Sequence, residues 1–193
     1  MPTPFLVSYF ALWFLVLATL TIVVAMYSHL GSRYLQSREG RTAQGPDVGT
    51  VPRSRILTTI QGDDVRTPTV GSPSVVLFTR VQCKPCERLR GYLWAGEEMD
   101  ESVNTILVCE GAKAEVSQWA AGVDRTVSVI ADVDGRITAF FGIASTPFGF
   151  GVDASGHVVA KGIMSEEAAF RWLLRRASGV PTALQPSSTE VEA

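Results

Sequence analysis

The run Ser74–Thr79, SVVLFT, follows a Gly-Ser-Pro break and leads almost at once into Cys83-Lys-Pro-Cys86. A continuous apolar, β-branched run reads as a strand buried on both faces, in the middle of a sheet that helices cover. From Cys83 the period changes: Cys86, Leu89 and Leu93 fall at i, i+3 and i+7, one face of a helix. The chain must therefore build a central strand, a short turn and a helix whose first turn holds both cysteines. Val103–Cys109 is a second buried-type strand, and residues 112–122 suit a helix ending at Gly122. Arg55–Ile60 and Thr126–Asp132 read as short strands, the first followed by a turn at 61–64. Residues 134–143 hold a helical turn, and Phe148–Asp153 with 157–162 form a β-hairpin. Ser165 reads as the N-cap of a last helix, with Glu166 and Glu167 where the macrodipole favours negative charge. Phe170, Leu173 and Leu174 form its apolar face, and Gly179 and Pro181 end it. The expected architecture over 51–178 is α/β, a mixed central sheet flanked by helices.

The two cysteines admit three kinds of chemistry. A thiolate, not a thiol, attacks a disulfide, and a free thiol near pKa 8.5 is mostly protonated at neutral pH. A helix N-terminus offers unpaired N–H groups and about half a positive charge. Cys83 at that point becomes the attacking thiolate, with Lys84, Arg88 and Arg90 adding positive charge and Glu87 opposing it. Pro85 fits an early helix position, where no donor is needed. Cys86, on the inward face, becomes the resolving thiol. A structural zinc site needs about four ligands, and beyond this pair the chain offers only Cys109, His157 and His29 as Cys or His ligands. A purely structural staple across so short a loop gains little, because loop-closure stabilisation grows with length. The residues favour exchange over metal or staple. No cofactor or metal is called for. Cys109 ends an apolar strand and reads as packing.

The chain's 193 residues, net charge of −2 and pI near 5.7 give no support for nucleic-acid binding by bulk charge. The first 32 residues contain no Asp, Glu, Lys or Arg, and Phe5–Tyr27 is nearly all apolar or aromatic. About 20 such residues span the hydrocarbon core of a bilayer. A cleaved signal peptide would want a basic start and a small-x-small site, and neither is clear. Residues 5–30 are therefore expected to be a single transmembrane anchor, 31–50 a polar linker and 179–193 a disordered tail. Arg33, Arg38 and Arg41 follow the apolar stretch, and by charge bias alone they would hold the domain in the cytoplasm.

The strand, the CKPC that opens a helix, and the later STPFGFGVDASGHVVAKGI resemble the thioredoxin superfamily, more narrowly its membrane-anchored MauD and TlpA type. The resemblance covers about Val51 to Ser178 and the preceding anchor. It implies a thioredoxin-like fold and a thiol–disulfide oxidoreductase needing no cofactor. Cys83 matches the nucleophile and Cys86 the resolving cysteine. Pro147 matches the cis-proline facing the disulfide. Thr146 matches the residue before it, whose backbone pairs with a bound polypeptide. The resemblance also implies a cysteine-containing exported client, such as an amine dehydrogenase subunit, a redox partner protein, and a domain outside the cytoplasmic membrane. Three positions depart from the pattern. Gln82 stands where thioredoxins usually have Trp, and Leu77 where they often carry a buried acid. Arg80 stands where a peroxiredoxin would need Thr or Ser. The proton acceptor for Cys86 is left unassigned. Two other classes stay open: a non-catalytic thioredoxin-fold adaptor, and a metallochaperone passing Cu(I) through the cysteine pair.

Overall fold

The computed structural model describes residues 9–10, 12–23, 43–69, 71–95 and 102–180. The chain divides into two compact units, 1–40 and 41–193. In the first, residues 12–23 are helical with their large apolar side chains turned outward; Phe14 is 77% exposed. Among the described residues no helix is long and apolar enough to cross a membrane. The expected anchor, 5–30, extends beyond the described residues, as do most of the linker, His29 and the tail past 180.

The second unit holds seven strands and four helices among the described residues: β1 (Arg55–Thr58), β2 (Asp64–Thr67), β3 (Ser74–Arg80), α1 (Lys84–Ala95), β4 (Asn104–Glu110), α2 (Lys113–Trp119), β5 (Ser128–Asp132), α3 (Arg136–Phe140), β6 (Phe148–Val152), β7 (Val158–Ile163) and α4 (Glu167–Ala177). The main sheet has the order β5-β4-β3-β6-β7. β3, β4 and β5 are parallel, and β6 and β7 run antiparallel to their neighbours. This is the expected mixed sheet.

Successive side chains of β3 serve two cores. Val75 and Leu77 join Leu89 and Leu93 of α1 and Phe170 and Leu173 of α4 on one face. Val76 and Phe78 join Phe141, Phe148 and Phe150 on the other, where α3 and Leu57 of β1 pack. That double burial is why the run lacks polar alternation. Each buried leucine contributes roughly 1.5–3 kcal/mol. Gly149 of β6 sits where α4 comes closest: an added Cβ would lie 2.9 Å from Leu77 Cδ2 and 3.0 Å from Leu173 Cδ2.

Three local readings change. The chain after β1 makes a second strand, β2, and the two form a separate antiparallel hairpin. The last helix starts later than Ser165. Glu166 is the N-cap residue, with extended backbone and no side-chain cap, and its carbonyl accepts from Phe170 N–H. The reason is that Met164 is fully buried and its N–H donates to Pro147 O at 3.2 Å, so Ser165 still belongs to the exit from β7. Third, residues 44–50, read as linker, dock on the domain. Gly45 N–H donates to Gly142 O at 3.1 Å, and Gly49 N–H to Val158 O at 2.7 Å.

Candidate active site

β3 delivers the chain to the site. Past Arg80, Val81 N–H donates to Glu110 O at 3.1 Å, and Gln82 turns the backbone with φ of 64°. Few non-glycine residues adopt that left-handed conformation, and it sits directly before Cys83. Cys83 then caps α1 with its carbonyl, which accepts from Cys86 N–H at 2.9 Å and Glu87 N–H at 3.1 Å. Its side chain therefore stands at the helix N-terminus, where the free amide groups favour negative charge.

Cys83 and Cys86 are joined in a disulfide, with Cα atoms 5.2 Å apart. The two sulfurs are not equivalent. Cys86 is fully buried in the core under α1, while Cys83 is partly exposed. An incoming thiolate thus reaches Cys83 first. Lys84, Pro85 and Arg88 are exposed around this turn.

The loop between α3 and β6 supplies the opposite wall. The Thr146–Pro147 peptide bond is cis, and Thr146 Oγ1 donates to Cys83 Sγ at 4.0 Å. The structure thus brings together Cys83, Cys86, Thr146 and Pro147, which lie on two elements far apart in sequence. A side-chain contact from Thr146 to the sulfur was not foreseen; only its backbone was expected to matter.

Arg90 does something other than expected. Its guanidinium pairs with Glu87 at 2.9 Å, donates to Trp119 O at 3.2 Å, and lies over the Trp94 ring at 4.5 Å. Trp119 Nε1 donates to the other oxygen of Glu87 at 2.7 Å. The Arg90 charge is directed at Glu87, whose two carboxylate oxygens are engaged by Arg90 and by Trp119. This cluster forms one wall of a groove of about 500 Å³ that also involves Val81 and Gln82. Its partners lie on α1 and α2, so no local pattern announced it.

Cys109 lies buried in β4, opposite Thr79. Burial pushes its thiol up, only partly offset by hydrogen bonds involving Thr79 and Val81. It packs with Leu77 and Cys86 in the same core. His157 is engaged in the β6–β7 turn, where Ser155 Oγ is 2.9 Å from its Nδ1. Among the described residues no three His, Cys, Asp or Glu side chains gather as a metal site.

This arrangement matches solved structures closely enough in backbone to fix the fold. MTB dsbF, solved in mixed oxidized and reduced forms, aligns with a TM-score of 0.55 at 22% identity, covering 68% of this chain and all (100%) of that one. A secreted Mycobacterium tuberculosis disulfide oxidoreductase homologous to E. coli DsbE aligns with a TM-score of 0.52 at 18% identity, covering 61% of this chain and 92% of that one. The chain has a thioredoxin-like fold. Among curated proteins it is similar to the methylamine utilization protein MauD of Methylophilus methylotrophus, 29% identical over 124 residues, which are 62% of this chain and 57% of the relative. MauD of Methylobacillus flagellatus is 28% identical over a stretch of the same length, 58% of that relative. The chain thus spans under two thirds of the curated relatives it matches. No protein-family model matches it. Beside the Cys83–Cys86 disulfide, the residue in contact with Cys83 is Thr146, and the bond that joins it to Pro147 is cis.

Proposed function

We propose that this chain is a membrane-anchored thiol–disulfide oxidoreductase that exchanges disulfides with cysteine-containing exported proteins through Cys83 and Cys86. The observation that carries the reading is the asymmetric disulfide, with Cys83 partly exposed at a helix N-terminus under Thr146 and Cys86 buried behind it. In the oxidising direction a client thiolate attacks Cys83 Sγ. The Cys83–Cys86 bond breaks, and Cys86 leaves as the thiolate. A second client thiolate then attacks the client sulfur of the mixed disulfide, and Cys83 leaves as a thiolate stabilised by the α1 amides and the Thr146 hydroxyl. Two electrons pass from the client to the pair, and the two client thiol protons go to the two cysteines or to solvent. The reverse sequence reduces a client. A redox partner protein restores the starting state in either case.

Thr146 backbone groups and Pro147 form the edge on which a client backbone lies, and Lys84 and Pro85, in the first turn of α1, tune the Cys83 thiolate. The outward apolar side chains of 12–23 support an anchor, and the resemblance to the MauD and TlpA type supports a domain held outside the cytoplasmic membrane. The similarity to MauD suggests as client a redox enzyme undergoing maturation, such as an amine dehydrogenase subunit.

The test is a redox titration of the full chain in mild detergent, equilibrated in graded glutathione buffers, quenched with acid and counted for alkylated thiols by mass. A reversible two-thiol transition between about −120 and −270 mV is expected, the span of catalytic dithiols. A pair that stays oxidised below roughly −300 mV would be a staple, and the proposal would fall.

A further inference from the structure

We propose that Gln44 is a positioning residue for the exchange reaction: its side chain clamps the loop that carries Thr146, so that the threonine hydroxyl stays on Cys83 sulfur. The inference rests on the functional reading above and adds a residue to it from outside the segment in which the resemblance lies.

Gln44 precedes β1 in a polar stretch, yet it is only 8% exposed. Its Oε1 accepts two consecutive backbone N–H groups, Ala144 at 2.8 Å and Ser145 at 2.9 Å. Its Nε2 donates to Ser145 Oγ at 2.9 Å. Two converging N–H donors require an oxygen at that position, so the amide has one workable orientation. A loop without a ladder partner is defined by where its backbone donors go. Here both go to a single side chain about a hundred residues away in sequence.

The clamp is placed one residue before the chemistry. Thr146 follows Ser145 directly, and on its other side Pro147 O is held by Met164 N–H at 3.2 Å. The Thr146–Pro147 pair therefore hangs between two anchors, Gln44 from the leading segment and Met164 from the end of β7. Of the two, Met164 is continuous with the sheet and the core, whereas Gln44 has no ladder behind it. What holds Gln44 in register is Gly45. Its N–H reaches Gly142 O at 3.1 Å with φ of 75°, and a Cβ there would lie 3.0 Å from Phe148 Cε1 and 3.1 Å from Ile143 Cδ1. Glycine is needed on both counts.

Removing the clamp frees the Ala144 and Ser145 amides and lets Thr146 drift from the sulfur. A hydrogen bond to the thiolate favours its charged form, so its loss makes Cys83 harder to ionise.

The experiment uses the full chain in mild detergent, reduced and then alkylated with iodoacetamide across a pH series, with the modified cysteine identified by mass. Gln44→Met keeps the side-chain length and removes every hydrogen bond. It is expected to move the Cys83 alkylation midpoint up by about one pH unit. Thr146→Val should move it similarly, and the double variant no further than Thr146→Val alone, because Gln44 acts through Thr146. A Gln44→Met protein that melts lower but keeps the wild-type midpoint would overturn the proposal, as would additive shifts. Hydrogen exchange on the wild type covers the case in which the variant does not fold. The Ala144 and Ser145 amides should be protected like ladder amides, and exchange at exposed-loop rates would also overturn the clamp. A wild type whose Cys83 and Cys86 show no reversible exchange would instead sink the functional reading, leaving these amides protected.

Discussion

At the scale of single residues, the proposed exchange turns on how the Cys83 thiolate is stabilised once the disulfide opens. The backbone of α1 does part of this, and the Thr146 hydroxyl, 4.0 Å from the sulfur, is a side-chain donor placed there. Thr146→Val keeps the shape and removes the donor. The Cys83 midpoint should rise by about one unit. The rate at neutral pH should fall by only about threefold, because a more basic thiolate is also a better nucleophile. Iodoacetamide kinetics against pH separate the two effects, and an unchanged midpoint would remove Thr146 from the chemistry. The unequal burial of the sulfurs makes a second prediction. Cys86→Ser should accumulate a mixed disulfide between Cys83 and a client thiol, visible on a non-reducing gel. Cys83→Ser should accumulate none, since its two remaining thiols, Cys86 and Cys109, are buried. Equal trapping by both variants would mean that Cys86 is reachable and the roles assigned here are wrong.

At the scale of elements, what could be read from sequence was what repeats over short range. The double-faced apolar run gave β3, the i, i+3, i+7 spacing from Cys86 gave α1, and the two strand runs on either side of the turn at 154–156 gave the β6–β7 hairpin. The contacts across sequence were not legible. Gln44 looked like linker because the stretch around it has no apolar period, and Arg90 looked like a thiolate-tuning charge because Trp119 and Trp94 could not be placed against it. Ser165 looked like a cap because the burial of Met164, the residue directly after β7, was invisible. Tight packing of β6 against α4 carries its own expectation. Gly149→Ala would push a methyl against Leu77, Leu173 and Met164, and overpacking of this kind costs about 1–3 kcal/mol. A thermal melt or denaturant midpoint checks it, and no loss would mean that α4 can move away freely. The hairpin turn responds to pH. Asp153 accepts from Ser155 Oγ at 2.6 Å and His157 N–H at 2.9 Å, and the Ser155 hydroxyl chiefly holds its carboxyl below the usual range. The stability from a lowered carboxyl is complete above the unfolded value, near 4, and is lost as pH falls through the folded one. The melting gap between wild type and Asp153→Asn should therefore be widest near neutrality and narrow below about pH 4. A gap that stays constant with pH would show that the charge contributes nothing.

At the scale of the whole molecule, two cues about sidedness oppose each other. Arg33, Arg38 and Arg41 follow the apolar stretch, and nothing basic precedes it. Charge bias would keep that side in the cytoplasm. Disulfide chemistry argues the other way. Cytosolic thiols are held reduced, so a pair that hands disulfides to clients finds substrates mainly in an oxidising compartment. Charge bias is a tendency that single spans can violate. The domain is therefore expected outside. In intact cells, a membrane-impermeant maleimide applied after mild reduction should label Cys83 without lysis, and carbonate washing should leave the chain in the membrane fraction. Cys109, buried in β4, serves as the internal control that should stay unlabelled until the fold is denatured. Labelling of Cys83 only after lysis would put the domain inside. The exported client would then have to be abandoned, while exchange at Cys83 and Cys86 would still stand or fall on the redox titration. Release by carbonate would remove the anchor and leave the sidedness argument without its premise.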